Sequence, residues 1–171
     1  MADTKLGDEV VVFETNLGKI VVGLYPNLAP AHVENFLTLA KSGFYDGTKF
    51  HRVIPGFMIQ GGDPNSKSDN RAMHGTGGPG HKVPAEFSDV PHERGILSMA
   101  RSSDPNSAGS QFFVMVARSP HLDNSYSVFG KVIEGLDVID KIVALPRDSK
   151  DNPLAANPAI IEKATVEAAP V

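Results

Sequence analysis

The chain of 171 residues contains no cysteine. That removes disulfides, thiolate catalysis and cysteine-ligated metals together, and it permits a reducing compartment. Positive charge is not in excess either. The 16 Lys and Arg are scattered among 20 acids for a net charge of −4, leaving no basic face to hold a phosphate backbone, so nucleic acid is not an expected partner. No apolar run approaches membrane-spanning length, and MADTKLGDE lacks the basic start and apolar core of a signal peptide. The expectation is a soluble, cytoplasmic protein with no membrane partner. With 41% hydrophobic residues the chain can fill one core but not two, so residues 1–171 read as a single domain with its core at about 9–167.

What is present is a series of short strands. Glu9 to Thr15 and Lys19 to Tyr25 are β-branched runs joined by a turn at Asn16 and Gly18, and both are apolar on nearly every residue, which predicts cover on each face. Val33, Phe36, Leu37 and Ala40 recur at helical spacing behind Pro30, predicting a helix from about Ala29 to Ser42 with His32 as a polar surface position. Asp63 to Arg94 is a long irregular segment. Its GTGGPG (75–80) formally fits a dinucleotide-binding pattern, but no strand precedes it and Pro79 blocks a following helix. His74 and His81 flank those glycines without a carboxylate pair, so they read as solvated loop residues rather than metal ligands. Further strands are predicted at Gly95–Ala100, Gln111–Val116, Ser127–Lys131 and Ile160–Val166. A second helix is predicted at Gly135–Leu145, with Leu136, Ile139 and Val143 on its apolar stripe, and Ala168 to Val171 as a frayed end. Many short strands with two isolated helices suggest a mainly β fold, an antiparallel sheet closed on itself with helices plugging its ends.

One stretch stands apart. In FHRVIPGFMIQGGD, residues 50–63, Arg52 is followed by Val53, Ile54, Phe57, Met58 and Ile59, a permanent cation beside an apolar surface. Pro55-Gly56 and Gly61-Gly62 mark strand, corner, strand, and alternation places Phe57 and Ile59 on one side, Met58 and Gln60 on the other. By periodicity alone this is equally an edge strand with a snorkelling arginine or a functional surface. Likewise Phe112 and Phe113 point to opposite faces, so only one of them can serve a ligand on a given side.

FHRVIPGFMIQGGD followed by GILSMA, GSQFF and VFG, in that order, resembles the cyclophilins, a family of peptidyl-prolyl cis-trans isomerases, from about Val10 to Val166. The resemblance implies a closed eight-stranded antiparallel β-barrel capped by two α-helices, with a groove for proline-containing peptides and unfolded or partly folded proteins on its outer surface, no cofactor and no metal, and a monomer. It places the catalytic arginine at Arg52 and the proline pocket at Phe57, Met58, Phe113 and Leu122. Substrate contacts fall on Gln60, Gln111, the Ala100–Arg101 backbone, and His51 beside the arginine. Human-type members carry a tryptophan where this chain has His121, a histidine where it has Tyr126 and an asparagine where it has Arg101. DPNSAGSQFF with GTGGPG is more similar to the bacterial branch. Because the family's tryptophan donates a hydrogen bond to cyclosporin, His121 implies weakened binding of that inhibitor. Two other readings remain open at this level, a non-catalytic module that holds proline segments and a lipocalin-type barrel with an axial pocket.

Overall fold

The computed structural model describes residues 3–169. Eight strands form one antiparallel sheet: β1 (Glu9–Thr15), β2 (Gly18–Leu24), β3 (Arg52–Ile54), β4 (Met58–Gly61), β5 (Ile96–Met99), β6 (Phe112–Met115), β7 (Val128–Glu134) and β8 (Ile161–Ala168). Their order across the sheet is β3-β4-β6-β5-β7-β2-β1-β8. The barrel expected to be closed is therefore open: a curled sheet whose edges are β3 and β8. Across the seam, the chain just ahead of β3 meets the start of β8 and the residues before it, through a bridge at Lys49 and Ile160 and backbone bonds such as Gly47 N–H to Ile161 O, 2.7 Å, and Phe50 N–H to Ala159 O, 3.0 Å. β3 is three residues long before the Pro55-Gly56 corner takes the chain away, too short to carry a ladder across the seam.

Between β2 and β3 lies α1 (Pro30–Lys41), and α2 (Leu136–Val143) lies between β7 and β8. Alternation along the strands sends Phe13, Ile20, Val22, Ile59, Leu97, Phe112 and Phe129 inward, where α1 meets them with Val33, Phe36 and Ala40. Among the described residues this interior is filled with side chains, Phe13, Phe36, Phe112 and Phe129 all at or below 1% exposure, rather than left as an axial pocket. Phe112 stacks on Phe13 at 5.5 Å and meets Phe36 and Tyr45 edge-on at 5.5 Å each.

Helix α1 has no side-chain cap at Ala29. Instead Glu86, from the long irregular segment, accepts from the N–H groups of Ala31 (3.3 Å) and His32 (2.8 Å), supplying the missing acceptors and favourable charge at the helix start. His32 is accordingly buried and not on the surface, its Nε2 3.0 Å from the carbonyl oxygen of Pro84. The stripe on α2 also differs from expectation, because Val138, Ile139, Ile142 and Val143 are buried while Leu136 is exposed. Ala168 pairs with Glu9 in register, so the frayed end does not begin there. Residues 170 and 171 lie outside the described residues.

Candidate active site

The outer face of β4, β5 and β6 carries a second apolar cluster, with Met58, Phe113, Met115, Leu122 and Val128 buried and Phe57, Ala100 and Tyr126 packed against it. Arg52, Phe57, Met58, Gln60, Ala100, Arg101, Phe113, Leu122 and Tyr126 line one hollow of about 140 Å³ there. Phe57 joins Met58 on this side, against the alternation rule. It sits in the turn between β3 and β4, closed by its N–H to Ile54 O at 3.0 Å, and not in a strand. Phe113 faces the hollow and Phe112 the interior, as their adjacency requires.

Arg52 is exposed at the rim and forms no ion pair among the described residues. What orients it is a relay of amides. Gln111 donates through Nε2 to the carbonyls of Gly75 (3.1 Å) and Gly77 (3.0 Å), so its Oε1 is free to accept from Gln60 Nε2 at 3.0 Å. That leaves Gln60 Oε1 toward Arg52, with Nη1 3.5 Å away. Each amide's orientation follows from its neighbour's donors.

The relay is anchored by Asp63, which sequence reasoning passed over. Its buried carboxylate accepts from the backbone N–H of Asn65 (2.8 Å), Gly75 and Gly77 (3.0 Å). A Cβ on Gly77 would collide with that carboxylate, which is why glycine stands there. The available signal was an acid placed directly after Gly61-Gly62 and before Pro64, a capping position.

Three expected residues lie outside the hollow. Gln111 lines a neighbouring depression of about 600 Å³ floored by residues 75–82. His121 is exposed on the rim, its ring 5.8 Å from that of Phe57. His51 is buried, with Nδ1 unpartnered, and lines a third hollow beyond Arg52. Burial drives its pKa down to about 4 against the pull of Asp63, so its ring is neutral at pH 7.

Phe113 is braced from behind. It stacks on His92 at 6.0 Å and meets Tyr126 edge-on at 5.5 Å. Buried His92 has Nδ1 3.2 Å from Asp123 and Nε2 3.0 Å from Ser98 Oγ. Burial lowers the His92 pKa against the opposing influence of Asp123. The neutral ring donates from Nδ1 to the carboxylate and accepts the Ser98 hydroxyl at Nε2. Ser98 is fully buried, so this serine, histidine and aspartate support a wall and offer no nucleophile to solvent. Tyr126 is held in turn by Arg101, whose guanidinium lies 4.6 Å from the ring centroid while Nε and Nη2 donate to Ser125 O.

Among solved structures, a cyclophilin type peptidyl-prolyl cis-trans isomerase from Cryptosporidium parvum is similar with a TM-score of 0.85 and 34% identity, covering 96% of this chain and 100% of that one. The same protein crystallised in the presence of the dipeptide Ala-Pro gives 0.83 and 35%, over 92% and 98%. The family model for cyclophilin type peptidyl-prolyl cis-trans isomerases matches residues 10–166. A probable peptidyl-prolyl cis-trans isomerase of Brucella suis is 44% identical over 94% of this chain and 84% of its own, and a Helicobacter pylori peptidyl-prolyl cis-trans isomerase is 48% identical over 75% and 77%. The chain belongs to the cyclophilin-type peptidyl-prolyl cis-trans isomerases, and it is an isomerase.

Proposed function

We propose that this protein accelerates rotation about Xaa-Pro bonds of peptides and of unfolded or partly folded proteins, in the cytoplasm, by aiming the Arg52 guanidinium at the prolyl nitrogen. The carrying observation is an arginine with no ion pair on the rim of the same small apolar hollow as Phe57, Met58, Phe113 and Leu122. At about 140 Å³ the hollow suits one small ring, well below the roughly 300–1,000 Å³ of drug-sized sites. Gln60 and the Ala100–Arg101 backbone hold the residue before the proline, so the carbonyl side turns against a fixed ring.

Rotation faces a barrier of about 18–20 kcal/mol because the amide C–N bond is partly double. At the twisted transition state conjugation is lost and the nitrogen gains a lone pair. A donor on that lone pair stabilises the twisted form more than the planar one, which is the condition for raising the rate. Bringing tens of seconds down to milliseconds requires about 5–6 kcal/mol. One charge-assisted hydrogen bond supplies about 1.5–3 kcal/mol of this, and the fixed ring and the exclusion of water from the hollow account for the remainder. Since Arg52 stays protonated, no steep pH dependence of turnover arises from it near neutrality.

The test is exchange NMR on a proline peptide. Arg52→Ala lowers turnover by about 100-fold or more with little change in affinity, by the hydrogen-bond magnitude above and the lost electrostatic complement. An unchanged exchange rate in that variant eliminates Arg52 as the donor. Cyclosporin binding is weakened on this reading, because His121 stands on the rim where the resemblance places the tryptophan whose N–H donates to that inhibitor.

A further inference from the structure

Beyond Arg52, meeting the 600 Å³ depression at Gln60 and Gly75, lies a recess of about 400 Å³ whose wall includes Arg52, Arg71, His74, Asp148, Lys150 and Asn152. Residues 64–74 build one side as two short helical turns, Pro64–Lys67 and Arg71–Met73. Arg71 fastens this segment to the opposite loop, donating through Nη2 to Asp148 (3.0 Å), to Pro153 O (2.8 Å) and to Asn152 O (3.2 Å). His74 joins the same seam with Nδ1 3.0 Å from Asn152 Nδ2.

The charges in this recess do not cancel. Both oxygens of Asp148 are occupied, one by Arg71 and the other by the backbone N–H groups of Lys150 (2.8 Å) and Asn152 (3.1 Å). Arg71 and Asp148 thus neutralise each other, and Asp151 is taken by Arg147 at 3.2 Å. Arg52 and Lys150, both exposed, keep their charge without an ion-pair partner among the described residues. Two unpaired cations face a concavity that has the Arg52 side chain as its partition from the proline-sized hollow.

We infer that this recess receives an acidic side chain from the residue following the proline, making Lys150 and the segment 64–74 specificity elements of the isomerase. The inference rests on the proposed reading of Arg52 and its hollow, which fixes the direction of the peptide. The residue before the proline is held at the Ala100–Arg101 backbone, which lines the 600 Å³ depression and not the recess, whereas Arg52 lines the recess and not the depression, so the chain after the proline leaves across Arg52. There an aspartate or glutamate meets two cations, while a lysine meets like charge. The attraction belongs to bound peptide in both planar and twisted forms, so it lowers KM and leaves kcat nearly unchanged.

The test compares peptides Ala-Ala-Pro-Xaa-Ala with Xaa as Glu, Gln or Lys, by exchange NMR for turnover and by chemical-shift titration for affinity. Glu is favoured over Gln by roughly tenfold in kcat/KM at about 20 mM salt, with Lys below Gln, and the preference shrinks by about 300 mM as screening sets in. Lys150→Glu, at an exposed position that does not threaten folding, brings the Glu-to-Gln ratio to about one or inverts it. Equal use of the three peptides, or a Glu preference untouched by Lys150→Glu, overturns the inference while leaving the isomerase reading intact. If no peptide is accelerated, the catalytic reading fails, and the titration still decides: tighter Glu binding that depends on Lys150 supports the recess, and equal binding overturns it.

Discussion

Phe112 and Phe113 are neighbours on β6, of one residue type and nearly equal burial, yet they belong to different parts of the molecule. Phe112, fully buried, sits among Phe13, Phe36, Tyr45 and Phe50, an aromatic cluster in the interior of the sheet. Phe113, 5% exposed, leans on His92 and Tyr126, and these are fixed by polar contacts to Asp123, Ser98 and Arg101. The inner face holds its shape chiefly by close packing, with one buried hydrogen bond from the Tyr45 hydroxyl to Ser110 O at 3.0 Å. The outer face must leave a hollow, so packing cannot complete it, and hydrogen bonds from behind keep its walls in place.

The largest expected effect comes from breaking the inner side. Phe112→Ala should cost about 3–5 kcal/mol, the range for truncating a buried phenylalanine, read as a lower urea midpoint, with turnover per folded molecule retained. Phe113→Ala should cost less than half as much, because one side of its cavity already opens to solvent, but it should weaken both peptide affinity and turnover. Equal stability losses with equal activities would erase the distinction between the two faces.

Acid should separate them next. His51 has its pKa lowered by burial from 6.5 to about 4, and His92 and His32 are lowered in the same direction for the same reason. Above pH 6.5 these rings are neutral folded or unfolded. For His51, between 6.5 and about 4 the unfolded chain binds a proton that the native one refuses, so stability falls as pH falls, and His92 and His32 add in the same direction. His51 alone accounts for up to about 3 kcal/mol of that loss. Denaturant melts from pH 7.5 to 4.5 should show the slope, and His51→Gln should reduce it. By NMR, Phe113 and Tyr126 should shift before Phe112 does. A slope indifferent to His51 would remove the burial argument.

Much of the fold was legible in the sequence because strand alternation and helix stops are local signals. β1, α1 and the Phe112/Phe113 division follow from periodicity and from Pro30 and Gly43. What was not legible depends on contacts distant in sequence. His32 reads as a surface residue of α1 until Glu86 and Pro84 arrive from 52 to 54 residues away. Closure of the barrel was expected because strand number was readable and strand length at the seam was not. At the candidate site, the resemblance named Arg52 and its apolar neighbours, yet nothing local announced that Asp63 would gather the glycine loop behind Gln111. Arg101 and Tyr126 looked like two independent departures from the family, and the fold brings them together as a stacked pair. Within the irregular segment, nothing local shows that Arg71 would fasten residues 64–74 to Asp148, 77 residues further on.

The smallest expected effect lies on the rim of the outer face, at the remaining departure. His121 is carried by the turn Pro120–Leu122, with its ring over Phe57 and its side chain exposed, so it can be exchanged without touching either cluster. His121→Trp supplies a larger ring and a fixed indole N–H donor. If the proposed weakening of cyclosporin binding comes from loss of that donor, the variant should bind it more tightly by roughly two- to tenfold, the worth of one hydrogen bond of about 0.5–1.5 kcal/mol. Thermal stability should stay within about 0.5 kcal/mol of the parent, as for surface substitutions generally. A calorimetric titration with no gain in affinity would move the cause from the missing donor to the Arg101–Tyr126 pair. That pair lines the same hollow, and Arg101→Asn would then be the substitution that restores binding.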